Sequence, residues 1–492
     1  MASKSKELLS IPIDARNLSI IVFSLFSGWE LSFVFEGQVL YAICKQYHLD
    51  PHAMIFGSIA ALFTGLLACG IFIKNIKAAK RWMLLSFALC IAGTGAFLFT
   101  PSIIWKPLLM SMAFLAGTCV AAWGFYFRGF TPFNERIKTV AEALIYSNIL
   151  MILINAVAIN GSPHVGLVLS MLMLAGALFF TTQLPEESPN EEYSSPTEST
   201  ESGGLVKALA FLCLFIFIIT INSGLMYQVI NPAFAHHQWL VSWYWSVPYI
   251  IALYIMKILP RGIIRTYMLY VAIAMIGFAF IAFMNADRSA ASYLLINTLM
   301  LGACGVFDLF WWSSLGEMLD LEENPAKILG IGLSANVLGV LLGGGLGKAI
   351  TGQEVQTHDL SMLALVIVFV SLIILPLLHR QLYILLENHA YLGALFETPA
   401  ANKKDDTVGS VSAAVTDQIT ARENEIITLI VKGRTYKMIA DELHISENTV
   451  KSHIKHIYSK LDVKRKPELI SLMLENPSAD KATTNKTKTS GN

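Results

Sequence analysis

Charge is what this sequence has least of. Only 14% of its 492 residues are Asp, Glu, Lys or Arg, against roughly 25% in soluble globular domains. Lys plus Arg and Asp plus Glu number 35 each, so the formal net charge is zero. No chain-wide basic excess draws it to nucleic acid, and no acidic excess keeps it unfolded. Cysteine is sparse too: the six are Cys44, Cys69, Cys90, Cys119, Cys213 and Cys304. None sits in a C-x-x-C pair or beside a His at ligand spacing, which argues against a disulfide framework or a zinc site. They read as small buried hydrophobes. No P-loop, dinucleotide fingerprint or nucleophile elbow occurs. Neither enzymatic activity nor a cofactor is expected.

What replaces charge is apolar length: 55% of the residues are hydrophobic. A membrane-spanning helix needs about 20 apolar residues, and twelve such runs can be read, at 18–41, 53–73, 82–101, 107–127, 139–159, 165–184, 205–226, 239–259, 264–285, 292–315, 327–349 and 360–385. The first is too long for a signal-peptide core and lacks a small-residue cleavage site, so the chain is expected to stay in the lipid bilayer. Basic residues set the orientation. With both termini cytoplasmic, sixteen Lys and Arg fall on inner segments and four (Lys45, Lys106, Arg288 and Lys348) on outer ones. A multi-pass protein of the inner (cytoplasmic) membrane is predicted, with 1–17 as its cytoplasmic N-terminus. Seven glycines between Gly330 and Gly347 are expected to permit close helix packing rather than to cradle a phosphate.

The longest internal connection, 185–204, contains the acidic, Ser- and Pro-rich stretch Pro185-Glu-Glu-Ser-Pro-Asn-Glu-Glu-Tyr-Ser. It reads as a flexible cytoplasmic linker between a first half, 18–184, and a second, 205–386. Twelve spans divided six and six resemble the major facilitator superfamily, an all-α fold whose halves enclose a midplane cavity. That family usually carries Gly-x-x-x-Asp-Arg-x-Gly-Arg-Lys after its second span. Here the loop reads Gly70-Ile-Phe-Ile-Lys74-Asn-Ile-Lys77-Ala-Ala-Lys80-Arg81, without the acid or the second glycine, which counts against repeated transport cycles.

Beyond Leu386 the character changes. Residues 387–417 read as a tether and 477–492 as a disordered tail. Between them, 418–476 has the punctuation of a compact helical unit. Thr420-Ala-Arg-Glu423 is a capping box, followed by Ile426, Ile427, Leu429 and Ile430 as a buried face. A second helix starts near Thr435, His444 and Ile445 make a tight turn, and Ser446 can cap a third helix over 447–461. That helix is expected to bury Val450, Ile454, Ile457 and Leu461 and to turn Lys451, Ser452, Lys455 and His456 outward. A short fourth helix is predicted near 466–475. Two helices, a tight turn and outward basic residues make a helix-turn-helix.

The residues Thr420-Ala-Arg422-Glu423, Gly433-Arg-Thr-Tyr-Lys437-Met-Ile439-Ala440 and Ile445-Ser446-Glu-Asn-Thr449-Val450-Lys451-Ser-His453-Ile-Lys455 closely resemble the LuxR-type DNA-binding domain. Met438 and Asp462 depart from its common Glu and Gly. The resemblance implies a third helix in the major groove of double-stranded DNA and a fourth that pairs two domains into a dimer on DNA. It places Lys451, Ser452 and Lys455 at bases or adjacent phosphates and Lys464 and Arg465 near the backbone-contacting end, and it adds Thr449 and Val450, which match its motif at the helix start, to the DNA-binding set. The charge pattern agrees: between Thr449 and Lys466 lie Lys451, Lys455, Lys460, Lys464, Arg465 and Lys466 against Asp462, a local phosphate footprint.

Acids inside spans mark function by default. Glu30 and Glu36 fall in the first span and Asp308 in the tenth. Trp29, Phe33 and Glu36 share one helical face; Asp308, Trp311 and Trp312 share another. With Asn222, Tyr227 and Trp243, they could line a cavity for an aromatic or cationic small-molecule ligand. The competing reading for Trp239 to Trp245 is an interfacial aromatic belt; for Asp308, a structural hydrogen bond. Glu142, near a span end, is expected to be solvated. The combined expectation is a membrane-bound transcription regulator that senses a small molecule. A transporter with an autoregulatory DNA-binding tail is the alternative.

Overall fold

In the computed structural model, residues 14–132, 135–187, 202–259, 265–351, 357–386, 419–431, 439–440, 443–461, 463 and 469 are described. The whole of the expected tether and tail and most of the acidic linker lie outside them. The regular structure among the described residues is helical, without a strand.

Twelve helices are long and apolar enough to cross a bilayer. They are span 1 (Ala15–Gln46), span 2 (Met54–Phe72), span 3 (Ile76–Leu98), span 4 (Trp105–Phe130), span 5 (Arg136–Asn160) and span 6 (Pro163–Gln183). In the second half they are span 7 (Leu205–Ala233), span 8 (Gln238–Ile258), span 9 (Met268–Asn285), span 10 (Ala290–Leu321), span 11 (Pro325–Ala349) and span 12 (Ser361–Gln381). The halves meet chiefly through span 2 against span 11 and span 5 against span 8, as a pseudo-twofold arrangement of six and six requires.

Small residues set the closest contacts, as they must where lipid offers no hydrophobic drive between helices. A Cβ on Gly343 of span 11 would overlap the Ile221 carbonyl of span 7, and one on Gly117 of span 4 would overlap the Leu62 carbonyl of span 2. The expected packing role of the span-11 glycines holds at Gly330, Gly339 and Gly343, whereas Gly345 faces open space.

Four spans differ from plain rods. Span 1 passes through a π-helical turn at Glu30–Val34 and breaks before restarting at Gln38–Gln46. Span 7 runs past its expected end through a second π-helical turn, Met226–Ile230. These are the first spans of the two halves, and each extra residue per turn re-aims the side chains that follow it. At the break in span 1, Glu36 adopts φ +50°, a left-handed conformation that costs a non-glycine residue about 1–2 kcal/mol. Span 4 is jointed at Trp123, and span 8 is interrupted at Trp245–Ser246 before Pro248.

The span ends that carry most Lys and Arg form a basic face tied across the halves. Glu142, expected in solvent, is instead buried: Arg16 Nη2 approaches one carboxylate oxygen at 2.9 Å and Lys257 Nζ the other at 2.9 Å. Burial follows because spans 1, 5 and 8 converge there, and two cations offset the cost of desolvating the acid. Arg136 donates to the Gly316 carbonyl at 2.7 Å and pairs with Asp320 at 2.8 Å. Asn324 donates to the carbonyls of Gly70 and Ile73, both at 2.9 Å. The loop that lacks the facilitator signature is thereby held by the loop after span 10.

The C-terminal helices form a second compact unit. Ile426, Ile427, Leu429, Ile430, Ile439, Ala440, Val450, Ile454, Ile457 and Leu469 make one buried core, which gathers the apolar faces read from the sequence.

Candidate nucleic-acid interface and membrane site

The helix-turn-helix is built by caps. At the first helix, Ala421–Val431, the Thr420 N–H donates to Glu423 Oε2 at 2.8 Å while the Glu423 N–H donates to Thr420 Oγ1 at 3.2 Å. This is the reciprocal capping box expected from the spacing. The Leu443 N–H closes on the Ile439 carbonyl and the Ile445 N–H on the Ala440 carbonyl. Between them His444 takes φ +52°, the left-handed stop that lets the chain turn sharply. Ser446 then caps the third helix, Glu447–Lys460, accepting from the Thr449 N–H at 3.1 Å.

That helix is amphipathic in the expected register. Val450, Ile454 and Ile457 are buried, whereas Thr449, Lys451, Ser452, Lys455 and His456 are exposed. Val450 therefore comes off the set of DNA-contacting residues: fully buried in the core, it presents no side chain to a groove and instead fixes the helix's rotation. Thr449 remains exposed, with its hydroxyl 2.7 Å from that of Ser446. Lys464 and Arg465 lie outside the described residues.

Lys460 also changes role. Its ammonium sits 2.8 and 2.6 Å from the two Glu423 carboxylate oxygens, so it ties the end of the third helix to the start of the first. Burial raises the Glu423 carboxyl, but the Lys460 hydrogen bond, the Thr420 donors and the Lys460 charge outweigh it and bring the pKa from 4.5 to about 2. The footprint read from the sequence thus loses one charge to the fold.

In the bundle, the structure divides the acids and aromatics rather than gathering them. Trp29 is fully buried and donates to Thr94 of span 3 at 3.0 Å, so it belongs to the core of the first half. Glu30, on the same turn, is buried within electrostatic range of Cys90 and Cys119. The π-helical turn then swings Glu36 elsewhere. Its Oε2 accepts from the Tyr41 hydroxyl at 2.7 Å, and Gln228 of span 7 lies close to both. Tyr227 feels the charge of both Glu36 and Asp308. Asp308 Oδ2 accepts from the Tyr249 hydroxyl of span 8 at 2.8 Å.

Burial outlines the site. From Met300 to Leu319 of span 10 every residue is buried except Cys304 and Asp308, one turn apart. From Ile219 to Gln228 of span 7 the exceptions are Ser223 and Tyr227, also one turn apart. The stripes face each other, with Ser223 Oγ 4.0 Å from Cys304 Sγ, and the Tyr227 ring stands 6.1 Å from Trp245. Such periodic accessibility inside two spans marks a polar cleft.

The other candidates divide around it. Asn222 is fully buried with neither amide atom hydrogen-bonded. Trp311 is buried with its indole N–H unpaired and packs beside Trp312. Trp312 in turn meets Phe23 and Trp123 at 5.7 and 6.2 Å, an aromatic contact between the halves. Trp243 stacks edge-on with Trp239, which is 67% exposed at the span end, in keeping with the belt reading. A groove of about 280 Å³ between spans 1 and 5, lined by Ile21, Ser24, Leu25, Tyr146, Ile149 and Leu150, contains none of these candidates. Tyr41, Gln228, Tyr249, Ser223 and Cys304 were not singled out from the sequence. Only Cys304, four residues before Asp308 and hence on its face, carried a readable signal.

Comparison with known proteins agrees with both parts. Residues 417–473 match the bacterial regulatory proteins of the luxR family, and that segment is a LuxR-type helix-turn-helix domain. The oxygen regulatory protein NreC of Staphylococcus haemolyticus is 47% identical over 57 residues, 12% of this chain and 26% of that protein. NreC of Staphylococcus carnosus is 35% identical over 88 residues, 17% of this chain and 41% of that protein. The chain thus matches less than half the length of these regulators. The bundle has the fold of major facilitator transporters. The human organic anion transporter MFSD10 superposes with TM-score 0.53 at 15% identity, over 73% of this chain and 98% of that one. The facilitator FucP in its outward conformation gives TM-score 0.53 at 12% identity, over 74% and 98%.

Proposed function

We propose that this chain is a membrane-bound one-component transcription regulator: the facilitator-like bundle senses a small molecule, and the LuxR-type domain binds operator DNA. The observation that carries this reading is the presence on one chain of a LuxR-type domain and a twelve-span bundle with a polar, acid-bearing cleft. The basic face lies toward the cytoplasm by the Lys and Arg distribution, which puts both termini beside the DNA in the inner membrane of a bacterium. Lys451, Ser452 and Lys455, with Lys464 and Arg465, supply contacts to bases and phosphates. Two such domains meet on two half-sites. Signalling requires that the ligand bind one arrangement of the bundle better than another.

The test uses the full chain in lipid nanodiscs and a fluorescent duplex from the region upstream of its own gene. Binding should weaken steeply with salt, by a slope of about 0.9 per phosphate contacted, and should exceed binding to a scrambled duplex. Equal binding to both duplexes rejects the operator reading.

The fold shared with transporters favours a second reading, a transporter whose tail regulates its own gene. Substrate accumulation in proteoliposomes that is lost in Asp308→Asn would establish it.

A further inference from the structure

The cleft between spans 1, 7, 8 and 10 has a one-sided electrostatic character. Glu36 and Asp308 bring two carboxylates to it, and each has one oxygen engaged by a tyrosine hydroxyl, from Tyr41 and Tyr249 respectively. Among the described contacts none engages Asp308 Oδ1, and Asp308 keeps accessible surface inside an otherwise buried stretch of span 10. Span 10 contains no Lys, Arg or His at all. The basic residues of spans 1, 7 and 8 are Arg16, Lys45, Lys207 and Lys257, all within three residues of a span end. Lys257 and Arg16 are already held by Glu142. Among the described contacts no cation engages either carboxylate, and Tyr227 lies within electrostatic range of both.

A buried carboxylate needs either a proton or a positive partner. The walls around these two suit the second. Tyr227, Trp245 and Tyr249 present rings, whose faces attract a cation, and Ser223 and Cys304 line the remaining side with small polar atoms. The indole N–H of Trp245 is buried without a hydrogen-bond partner and so offers a donor to a ligand acceptor. An anion would meet both carboxylates uncompensated, and a neutral aromatic would leave them so.

Building on the sensing role proposed above, we infer that the cleft takes a small aromatic ammonium ion, its charged nitrogen held by Asp308 and Glu36 and its ring against Tyr227 and Trp245. Asp308 is the principal contact, because its free oxygen and accessible surface point to the stripe shared with Tyr227. Glu36 is the second, delivered by the break in span 1.

The test is binding of benzylamine, benzyl alcohol and benzoate to the full chain in nanodiscs, followed by calorimetry up to the millimolar range at neutral pH. Benzylamine should bind saturably and at least tenfold more tightly than either of the other two. Asp308→Asn should weaken benzylamine at least tenfold and Glu36→Gln by a smaller factor, while both variants keep the wild-type size-exclusion profile. If a variant misfolds, Tyr227→Leu provides a milder probe, expected to weaken benzylamine several-fold without narrowing the preference over benzoate. Undetectable benzylamine binding, or equal binding of benzyl alcohol, overturns the inference. The sensing role is read separately, from a reporter gene under the chain's own upstream region. A neutral or anionic compound that switches the reporter through this cleft removes the ammonium class and keeps the sensor. Saturable benzylamine binding with a reporter indifferent to every bundle ligand keeps the site and removes the sensor.

Discussion

In the helix-turn-helix domain most of the described side-chain polar contacts join near neighbours in the chain; in the bundle most of the ion pairs join residues far apart in the chain, and those at Glu142 and Arg136 are buried. Thr420 caps onto Glu423 and Ser446 onto Thr449, each three residues away. Arg16 meets Glu142 across 126 positions and Arg136 meets Asp320 across 184. In a domain surrounded by water, an unmatched charge can simply be solvated, so polar groups need only local order. In a bundle surrounded by lipid, a charge brought inside needs a partner that the fold or a ligand delivers. The difference teaches where a substitution will be forgiven.

The comparison is broken most severely at Glu142. Replacing it by Gln takes the acid from between Arg16 and Lys257, whose side chains are 9% and 22% exposed, and leaves Arg16 to Glu135 at 3.1 Å. Removing one partner of a buried ion pair costs about 3–5 kcal/mol, and the full chain in detergent should lose thermal stability accordingly. Glu187, which pairs with Lys77 while 79% exposed on the same face, is the control: Glu187→Gln should leave the melting temperature unchanged. Equal effects at the two sites would mean that the Glu142 cluster is solvated after all.

The same contrast, drawn within the small domain, centres on Glu423. It makes a long-range ion pair there, with its side chain 4% exposed and Lys460 32% exposed. Glu423→Gln should destabilise the domain by about 2 kcal/mol, less than a fully buried pair because Lys460 keeps part of its hydration. The pH dependence has a definite sign. A carboxyl lowered from 4.5 to about 2 contributes stability that is complete above pH 4.5 and is lost as pH falls toward 2. Acid titration of the domain's helical signal should show this loss in the wild type and not in Glu423→Gln.

How much could be read beforehand follows the same division. The twelve spans, the six-and-six split, both caps of the helix-turn-helix and its buried face depend on spacing of a few residues, which periodicity reports directly. Contacts such as Arg16 with Glu142 or Tyr249 with Asp308 depend on which helices become neighbours, and nothing in local spacing encodes that. The π-helical turn in span 1 is the sharpest case. Trp29 and Glu36 share a face on an ideal helix, yet one extra residue in the turn, with the break that follows it, sends Trp29 to Thr94 and Glu36 to Tyr41. Val450 differs in kind: it matches the family motif, yet it is fully buried in the core, so a motif match does not by itself separate a core position from an exposed one. Lys460 reads as part of the phosphate footprint on sequence alone because its partner lies 37 positions away.

That last pair sharpens the comparison on the DNA side. Lys455 and Lys460 carry the same charge on one helix, but Lys455 is exposed and Lys460 is bound to Glu423. Lys455→Ala should weaken operator binding by about 1 kcal/mol and reduce the salt slope by about 1, roughly uniformly across sequences. Lys460→Ala should lower domain stability and leave the slope unchanged. A slope change of similar size for both would return Lys460 to the DNA interface.

The smallest expected effect lies at the turn itself. His444 holds φ +52° between a helix end and the cap of the third helix, a conformation costing an ordinary residue about 1 kcal/mol and glycine almost nothing. His444→Gly removes that cost but gives the unfolded chain more freedom, so the net gain in domain stability should be no more than about 0.5 kcal/mol. His444→Val sets the opposite limit, because a β-branched side chain is excluded from this region; it should destabilise the domain by more than the glycine variant stabilises it. Melting of the two variants beside wild type measures both signs. If valine is tolerated as well as glycine, the left-handed turn is not what orients the recognition helix, and its direction must come from the Val450–Ile454–Ile457 face alone.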